Sequence, residues 1–363
     1  MNRYDPSELR AHPLSERRSL LTADAIIVDP DSPPAATSVS PIISAAARDI
    51  RAARERGAAV ILMYGAHLLR NGAARIITEL MERGWITHIA TNGAGTIHDW
   101  EFSWLGRSCE SVEENVATGT FGAWEETGRN IHLALLAGGV RGEGYGAALG
   151  RFIHEDGCTL PSPGDLRESL SHPDGSTPAK AELLTAMQRH ALAAGRHEAF
   201  HRWKHASILA QAFRLGVPAT VHPGIGYDIV SCHPLFNGAV IGRAAETDFH
   251  TFCESVENLD GGVLLTVGSA IMAPQVFEKS LSCVHNVRFQ NGRPAVSGHS
   301  IYVVDLQDGG NWDWAQGEPP KTSAAYYLRF CKSFSRMGGT MQYAQCDNLA
   351  FVHNLLHALR ATP

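Results

Sequence analysis

The chain has 363 residues, of which 44% are hydrophobic and 19% are charged, so it can bury a sizeable core. Lys and Arg number 31 against 37 Asp and Glu, which gives a formal net charge of -6. This balance argues against nucleic acid as a partner, because binding to phosphate backbones requires basic surfaces. The seven cysteines are scattered and form no CxxC pair, which argues against a disulfide framework.

The N-terminal region contains nothing typical of a leader or an anchor. It carries charges without the apolar stretch of a signal peptide, and no window of the chain has the length of a membrane span. We therefore expect a cytoplasmic protein that does not bind membranes. A short apolar island followed by Asp-Pro-Asp-Ser-Pro-Pro predicts an N-terminal arm over 1–40 and a single domain over 41–363.

The predicted domain begins with a helix and a βαβ unit. Helical spacing over 42–57 precedes an apolar run over 58–65, which is typical of a strand buried on both faces. A predicted helix over 67–84 and a second apolar strand over 86–95 complete the unit.

The same alternation returns in the second half of the chain. The predicted elements are a helix over 207–216, a strand and loop over 217–226, a helix over 251–259, a strand over 261–270, and a strand and loop over 300–310. This order predicts an α/β fold with a doubly wound, mostly parallel, Rossmann-like sheet and helices on both faces. Residues 155–185 are rich in Pro, Gly and Ser, and are expected to form a surface excursion.

Polar or glycine-rich segments follow the predicted strands at 64–67, 91–99, 222–228 and 304–310. In parallel sheets ligands bind beyond the carboxyl ends of the strands, where glycine lets the backbone approach a phosphate. The segments together predict a nucleotide site. Each of them alone is equally compatible with turn geometry, because none reads GxGxxG between a strand and a helix.

Two blocks of sequence resemble deoxyhypusine synthase. Residues 61–101 are similar to the strand, small polar loop, helix and strand that lead into a glycine-rich turn and an acidic cluster in that family. Residues 207–233 resemble its helix, strand and loop, with Gly224, Asp228 and His233 in the places of its Gly-Asp-His trio. Weaker matches cover 261–272 and 302–318.

The resemblance implies a cofactor and an assembly. Deoxyhypusine synthases bind NAD between the subunits of a homotetramer, oxidise spermidine and transfer a butylamine unit through an imine on a lysine. The resemblance therefore implies NAD as cofactor and a homotetramer here. The residues that it implies for cofactor binding are Gly65, Ala66, His67, Thr91, Asn92, Gly93, Gly95, Gly224, Gly268, Asp305, Asp308 and Gly309.

The chain departs from the family at its reactive groups. Residues 267–274 contain no lysine, and Lys279 lies further along a predicted helix. An imine cannot form without an amine. Ile97 and His98 stand where the family has two glutamates, so Asp99 alone remains of the cluster that would balance a buried polycation. We therefore expect neither deoxyhypusine formation nor a polyamine substrate.

The catalytic candidates are His233, Asp228, Asp99 and His98. His233 matches the family's general acid/base, and histidine transfers protons near neutral pH. Asp228 or Asp99 could be its carboxylate partner. Asp228 could equally close a turn or cap a helix, Asp99 could cap the helix that follows it, and His98 could be a surface histidine of the altered cluster.

The residues predict an NAD-dependent transferase or oxidoreductase that acts on a small metabolite. One alternative is a metal-dependent hydrolase or lyase that uses His67, His98, His222 and His233, although these histidines lack the spacing of an HxH, HxxxH or HExxH motif. Another is a nucleotide-binding protein without catalysis.

Overall fold

A computed structural model describes residues 4–5 and 8–361. The helices are α1 Ala23–Ile26, α2 Ser40–Glu55, α3 Ala66–Arg70, α4 Ala74–Glu82, α5 Gly93–Leu105, α6 Val112–Thr118, α7 Glu125–Val140, α8 Tyr145–His154, α9 Pro163–Leu170, α10 Thr177–Arg189, α11 Ile208–Leu215, α12 Gly238–Glu257, α13 Met272–Gln290, α14 Arg329–Phe334 and α15 Asn348–Arg360. The strands are β1 Leu21–Thr22, β2 Val60–Tyr64, β3 His88–Asn92, β4 Arg107–Ser108, β5 Gly157–Leu160, β6 Gly195–Glu198, β7 Ala219–His222, β8 Val263–Val267, β9 Ser300–Asp305 and β10 Thr340–Gln345.

The chain divides into two compact units. The first unit comprises the residues up to 26 together with 96–248, and the second comprises 27–95 together with 249–363. The predicted arm over 1–40 is thus divided at residue 26. The predicted domain over 41–363 contributes residues to both units.

The second unit is built on a parallel sheet. Five of its strands follow the order β10-β9-β8-β2-β3. Every residue of β2 and β8 is buried, as expected where helices cover both faces of a parallel sheet. Ile61 and Met63 pack in a core cluster with Phe252 of α12 and Phe277 of α13. Because side chains alternate along a strand, Leu62 lies on the opposite face.

The opposite face of this sheet is covered by other helices. Helix α2 contacts β2 and β8, and α15 contacts β9. Helices therefore lie on both faces, which confirms the predicted α/β, doubly wound, parallel architecture. The predicted helix over 67–84 forms as two helices, α3 and α4, because Gly72 between them adopts a positive φ of 87°.

The direction of chain winding in this sheet reverses beside β2. The chain passes from β2 to β3 on one side, and later places β8, β9 and β10 on the other side. The reversal point between β2 and β8 is the position at which open α/β sheets bind their ligands, beyond the carboxyl ends of the strands.

The first unit is mainly helical. Helix α8 packs against α7, α11 and β7, and Gly146 permits the close approach of α8 to β7. A Cβ at Gly146 would lie 2.0 Å from the Ala219 carbonyl oxygen. The predicted excursion over 155–185 contains β5, α9 and most of α10, so it is largely regular structure. Ser162 and Asp165 form a capping box at the start of α9.

In the part of the chain that the structure describes, no helix combines the length and the apolar character that a membrane crossing requires.

Candidate functional sites in the two units

Two glycines meet at the reversal point of the second unit. Gly65 follows β2 and Gly268 follows β8, and the Gly65 N–H donates to the Val267 carbonyl oxygen at 3.1 Å. A Cβ at residue 65 would lie 2.1 Å from the Gly268 carbonyl oxygen, so no other residue fits there without a shift of the backbone. Gly268 has a φ of 61°, which also favours glycine. The ends of β2 and β8 are therefore in close backbone contact, at the point where open α/β sheets bind dinucleotides.

Asn348 lies beside these glycines. It is the first residue of α15, and its side-chain Nδ2 would be 2.3 Å from a Cβ at Gly268. Asn348 is 6% exposed, and its Oδ1 has no hydrogen-bond partner among the described residues. A buried acceptor without a donor costs about 1–3 kcal/mol. A ligand hydroxyl or amide that donated to this oxygen would remove that cost.

The predicted cofactor residues at the end of β3 form hydrogen bonds with backbone groups. Thr91 Oγ1 donates to the Tyr64 carbonyl oxygen at 3.0 Å, and Asn92 Oδ1 accepts from the Gly95 N–H at 3.0 Å. Gly93 and Gly95 lie in the first turn of α5. The segment 91–99, predicted as a loop, is thus a strand end that enters a helix directly. Glycine at residue 95 is required because a Cβ there would lie 2.2 Å from Thr91 Oγ1.

Two aspartates shape the loop after β9 by accepting hydrogen bonds from nearby backbone N–H groups. Asp305 Oδ1 accepts from the Gln307 N–H at 3.1 Å, and Asp308 Oδ1 accepts from the Gly310 N–H at 2.8 Å. Both are turn-forming bonds, which the sequence analysis held open as the alternative to ligand binding.

The remaining predicted cofactor residues of the second unit lie in two places, the loop after β9 and the start of α3. Gly309 packs against Tyr343, whose ring would be 2.8 Å from a Cβ at that position. Ala66 and His67 form the first turn of α3, where His67 is exposed.

Lys279 does not reach the strand ends. It lies in the second turn of α13, where its side chain is 59% exposed and its Nζ is 3.0 Å from Glu278 Oε1. It therefore places no amine at the end of β8, where the resemblance implied a reactive lysine.

In the first unit, Asp99 caps a helix. It is fully buried in α5, and its Oδ1 accepts from the Ile208 N–H at 2.7 Å at the start of α11. The Ser207 hydroxyl donates to Oδ2. Burial raises the pKa of the Asp99 carboxyl to about 7. The sequence predicts a cap on the helix that follows Asp99, whereas the helix that Asp99 caps is α11, more than a hundred residues later.

His98 belongs to a buried polar network that the sequence analysis missed. Its Nδ1 lies 2.8 Å from Ser108 Oγ, and that hydroxyl donates to Glu101. Glu101 also accepts from both terminal nitrogens of Arg17, at 2.7 and 2.8 Å, and from Thr127 Oγ1 at 2.9 Å. The Arg17 and Glu101 side chains are each 1% exposed. No local pattern could have revealed this pair, because 84 positions separate them.

His233 has a carboxylate partner other than the two predicted. Its Nε2 lies 3.0 Å from Glu125 Oε2, in place of Asp228 or Asp99. Its Nδ1 accepts from the Leu235 N–H at 3.1 Å. A backbone N–H can only donate, so the imidazole proton resides on Nε2 and is shared with Glu125. The histidine is buried, whereas the Glu125 side chain is 44% exposed.

This geometry changes the role expected of the pair. Both nitrogens of His233 are engaged, so Glu125 is the member that faces solvent. The hydrogen bond from His233 lowers the pKa of Glu125, which keeps the carboxylate ionised at neutral pH. The lowered pKa makes this carboxylate a weaker base than an ordinary glutamate, but the imidazole orients it and solvent reaches it, so it can accept a proton. In the sequence, the only indication of such a role for Glu125 is that it is one of two adjacent glutamates in a predicted helix.

Asp228 closes a turn on Gly224. Its Oδ2 accepts from the Gly224 N–H at 2.7 Å, and the Asp228 N–H returns a bond to the Gly224 carbonyl oxygen at 3.1 Å. Burial raises the pKa of Asp228 to about 6. This bonding matches the turn that the sequence analysis gave as the alternative to a catalytic role.

The histidines of the metal alternative do not assemble a ligand set. Across the described ranges no group of three or more His, Cys, Asp or Glu side chains could hold a metal ion. His67 is in the second unit, and His98, His222 and His233 are in the first.

Comparisons with known proteins gave distant matches of structure only. No family model matches the chain, and no curated protein matches it. Several solved structures are similar to it, and three of them are described below. One is ArgZ, an arginine dihydrolase from the ornithine-ammonia cycle in cyanobacteria, with 12% identity over 89% of this chain and 33% of that one, and a TM-score of 0.41.

The other two have the same level of identity. A conserved putative LOR/SDH protein from Methanococcus maripaludis S2 matches at 12% identity over 92% of this chain and 71% of that one, with a TM-score of 0.43. AgrE in complex with ornithine and NAD+ matches at 12% over 89% of this chain and 34% of that one, with a TM-score of 0.41. The chain thus spans about a third of the length of ArgZ and AgrE. None of the three is a deoxyhypusine synthase, so the resemblance to that family stays a prediction.

Proposed function

We propose that this protein is an NAD-binding enzyme that oxidises or transfers a group on a small metabolite. The proposal is carried by the reversal point of the second unit, where Gly65 and Gly268 bring the two strand ends into close contact and Asn348 Oδ1 has no donor among the described residues. Dinucleotides bind at such points, with their pyrophosphate against glycine backbone. The ribose hydroxyls and the nicotinamide amide of NAD are donors of the kind that Asn348 Oδ1 needs.

The proposed acid/base group is Glu125 in the first unit, oriented by His233. Glu125 is half exposed and ionised, so it can take a proton from a substrate hydroxyl or amine. His233 then acts as a positioning residue. Deoxyhypusine formation is not proposed, because Lys279, the lysine nearest the family position, is exposed on α13.

The first experiment measures NAD binding by thermal unfolding and calorimetry. NAD+ or NADH at a hundred times its dissociation constant should stabilise the protein by about 2.7 kcal/mol. In Asn348→Ala we expect binding to weaken about tenfold, while the unliganded protein keeps or gains stability, because the substitution removes a buried acceptor that has no donor.

Asn354→Ala is the matched control on the same helix. Asn354 Nδ2 donates to the Ala35 carbonyl oxygen at 2.8 Å, so its loss should lower stability slightly and leave NAD affinity unchanged. Absence of any stabilisation by millimolar NAD+ and NADH would refute the cofactor. Equal affinity in wild type and Asn348→Ala would refute the proposed position of the site.

The second experiment tests the proposed acid/base group. Once a substrate is identified by NAD reduction across a panel of small alcohols, amines and hydroxy acids, Glu125→Gln should lower kcat about a hundredfold or more and leave NAD binding intact. Its pH profile should lose the ionisation that wild type shows on the acidic limb. A Glu126→Gln variant is the control, since Glu126 accepts from the Leu14 N–H at 2.7 Å. Wild-type activity in Glu125→Gln would remove this residue from the mechanism.

The homotetramer that the resemblance implies remains a prediction. Light scattering at micromolar concentration tests it, and a monomer would contradict it.

A further inference from the structure

A cavity of about 340 Å³ lies within the first unit, between α7, the end of α10 and the start of α12. Its polar lining residues are His132, Thr185, Arg189, His190 and Asn237, and Leu136 and Phe236 are among its apolar ones. Neither the Glu125–His233 pair nor the strand ends of the second unit line it. Its volume suits a small metabolite.

His132 is a buried acceptor on the wall of this cavity. The side chain is 1% exposed, and its Nδ1 lies 2.7 Å from the Gly128 carbonyl oxygen, one turn earlier on α7. A carbonyl only accepts, so Nδ1 carries the proton. Burial lowers the pKa of His132 to about 4, so the ring is neutral at pH 7.

Its other nitrogen therefore offers a bare lone pair. His132 Nε2 is buried and has no hydrogen-bond partner among the residues that the structure describes. The edge-to-face contact between the rings of His132 and Phe236, with centroids 5.8 Å apart, holds the imidazole in place. A neutral lone pair calls for a donor on the ligand, such as a hydroxyl group.

A second set of lining groups favours negative charge. Arg189 is the last residue of α10 and is exposed, while Glu182 on the same helix pairs with Arg243 at 3.1 Å. The 20-residue helix α12 begins at the cavity, where Asn237 Oδ1 accepts from the Ala239 N–H at 2.9 Å. The positive end of this helix dipole and the guanidinium both attract an anion.

We propose that this cavity binds a small organic anion that carries a hydroxyl group. The hydroxyl donates to His132 Nε2, and the anionic group lies against Arg189 and the first turn of α12. This goes beyond the proposed function, because neither the Glu125–His233 pair nor Gly65, Gly268 and Asn348 are among the residues that line the cavity.

Calorimetric titration of the full chain, without NAD, compares matched ligands that differ by one hydroxyl. The pairs are lactate with propionate and 2-hydroxypropyl phosphate with propyl phosphate, so that the two pairs also distinguish a carboxylate from a phosphate. We expect the hydroxylated member of at least one pair to bind about tenfold more tightly than its partner. Equal affinities within both pairs, or no binding of any ligand at tens of millimolar, would overturn the proposal.

Two variants test which side chain contacts the ligand hydroxyl and which contacts its anionic group. His132→Phe keeps a ring but removes the acceptor, and should abolish the preference for the hydroxylated ligand while leaving its partner unaffected. Arg189→Gln should weaken both members of a pair about tenfold. Arg167→Gln, exposed on α9, is the control and should change neither.

The second variant keeps the test decisive if His132→Phe does not fold. Arg189 is exposed, so its substitution is not expected to unfold the protein. Unchanged binding in Arg189→Gln would exclude the proposed anion contact. A preference for the hydroxyl that persists in folded His132→Phe would exclude the proposed hydroxyl contact.

Discussion

The two units present polar groups to ligands in different ways. At the candidate site of the second unit, two glycines join the strand ends beside a buried amide whose oxygen has no donor among the described residues, and nearby aspartates such as Asp305 form turns. The first unit instead buries several carboxylates, among them Asp99, Glu101 and Asp248. Each is held by backbone or side-chain donors.

The difference teaches that a strongly shifted pKa is a poor guide to chemistry in this protein. Burial raises the pKa of both Asp99 and Asp248 to about 7. Yet Asp99 caps α11, and Asp248 accepts from the Gly146 N–H at 2.9 Å in the first turn of α8. Perturbed ionisation often marks functional sites, but structural groups share it. Half-exposed Glu125, by contrast, has a carboxylate that a substrate can reach.

The largest effect is expected from breaking the buried pair of the first unit. Arg17→Met leaves Glu101 buried without its cation, which should cost about 3–5 kcal/mol of unfolding free energy. Arg18→Met is the matched control, because Arg18 and Glu114 form a 3.5 Å pair whose side chains are 79% and 59% exposed. Chemical denaturation of both variants checks this. Equal stabilities would mean that the buried network does not hold the first unit together.

A smaller effect is expected from crowding the strand ends of the second unit. Gly65→Ala places a methyl group against the Gly268 carbonyl oxygen, so the backbone must shift at a cost of about 1–3 kcal/mol. NAD affinity should fall as well. Gly175→Ala, which has no heavy atom within 4 Å of the added carbon, controls for a methyl group without a clash. Wild-type stability and NAD binding in Gly65→Ala would show that the two strand ends are not tightly apposed.

The raised pKa of Asp99 predicts a pH dependence of stability. Its ordinary value is 3.8, so between about pH 4 and pH 7 the folded chain keeps a proton that the unfolded chain has lost. The stabilising contribution is present at low pH and is lost as the pH rises through this window. Asp99→Asn removes the titration, so the decline in unfolding free energy from pH 5 to pH 8 should be smaller than in wild type.

Asp174→Asn is the control for this measurement. Hydrogen bonds from Ser176 are the main cause that lowers the pKa of this exposed carboxyl to about 2, so it is ionised across the whole range and its removal should leave the slope unchanged. A steeper decline in Asp99→Asn than in wild type would contradict the sign.

The smallest effect is expected at Lys279. Its ion pair with Glu278 is exposed, and such pairs contribute about 0–1 kcal/mol, so Lys279→Ala should change stability little. Incubation with NAD, labelled spermidine and the lysine-bearing acceptor protein should transfer no label in either wild type or variant. Label on the acceptor that disappears in Lys279→Ala would show that this lysine reaches a reaction site after all.

Much of the fold could be predicted because its signals are local. The apolar run over 58–65 forms β2 over Val60–Tyr64, and the run over 261–270 forms β8 over Val263–Val267. A strand buried on both faces shows as a continuous apolar run in the sequence, and helix α2 shows as an amphipathic spacing of apolar residues. The strand-end glycines were identified for the same reason. Glycine is needed wherever two backbones approach closely.

By itself, then, the sequence determined the parallel α/β sheet and the glycines at its strand ends. Only the tertiary structure decided which carboxylate meets His233 and which helix Asp99 caps. Glu125 lies 108 positions before its histidine, and Ile208 lies 109 positions after Asp99. A hydrogen bond between distant residues depends on how whole elements pack, and the spacing of residues within one element holds no record of that packing.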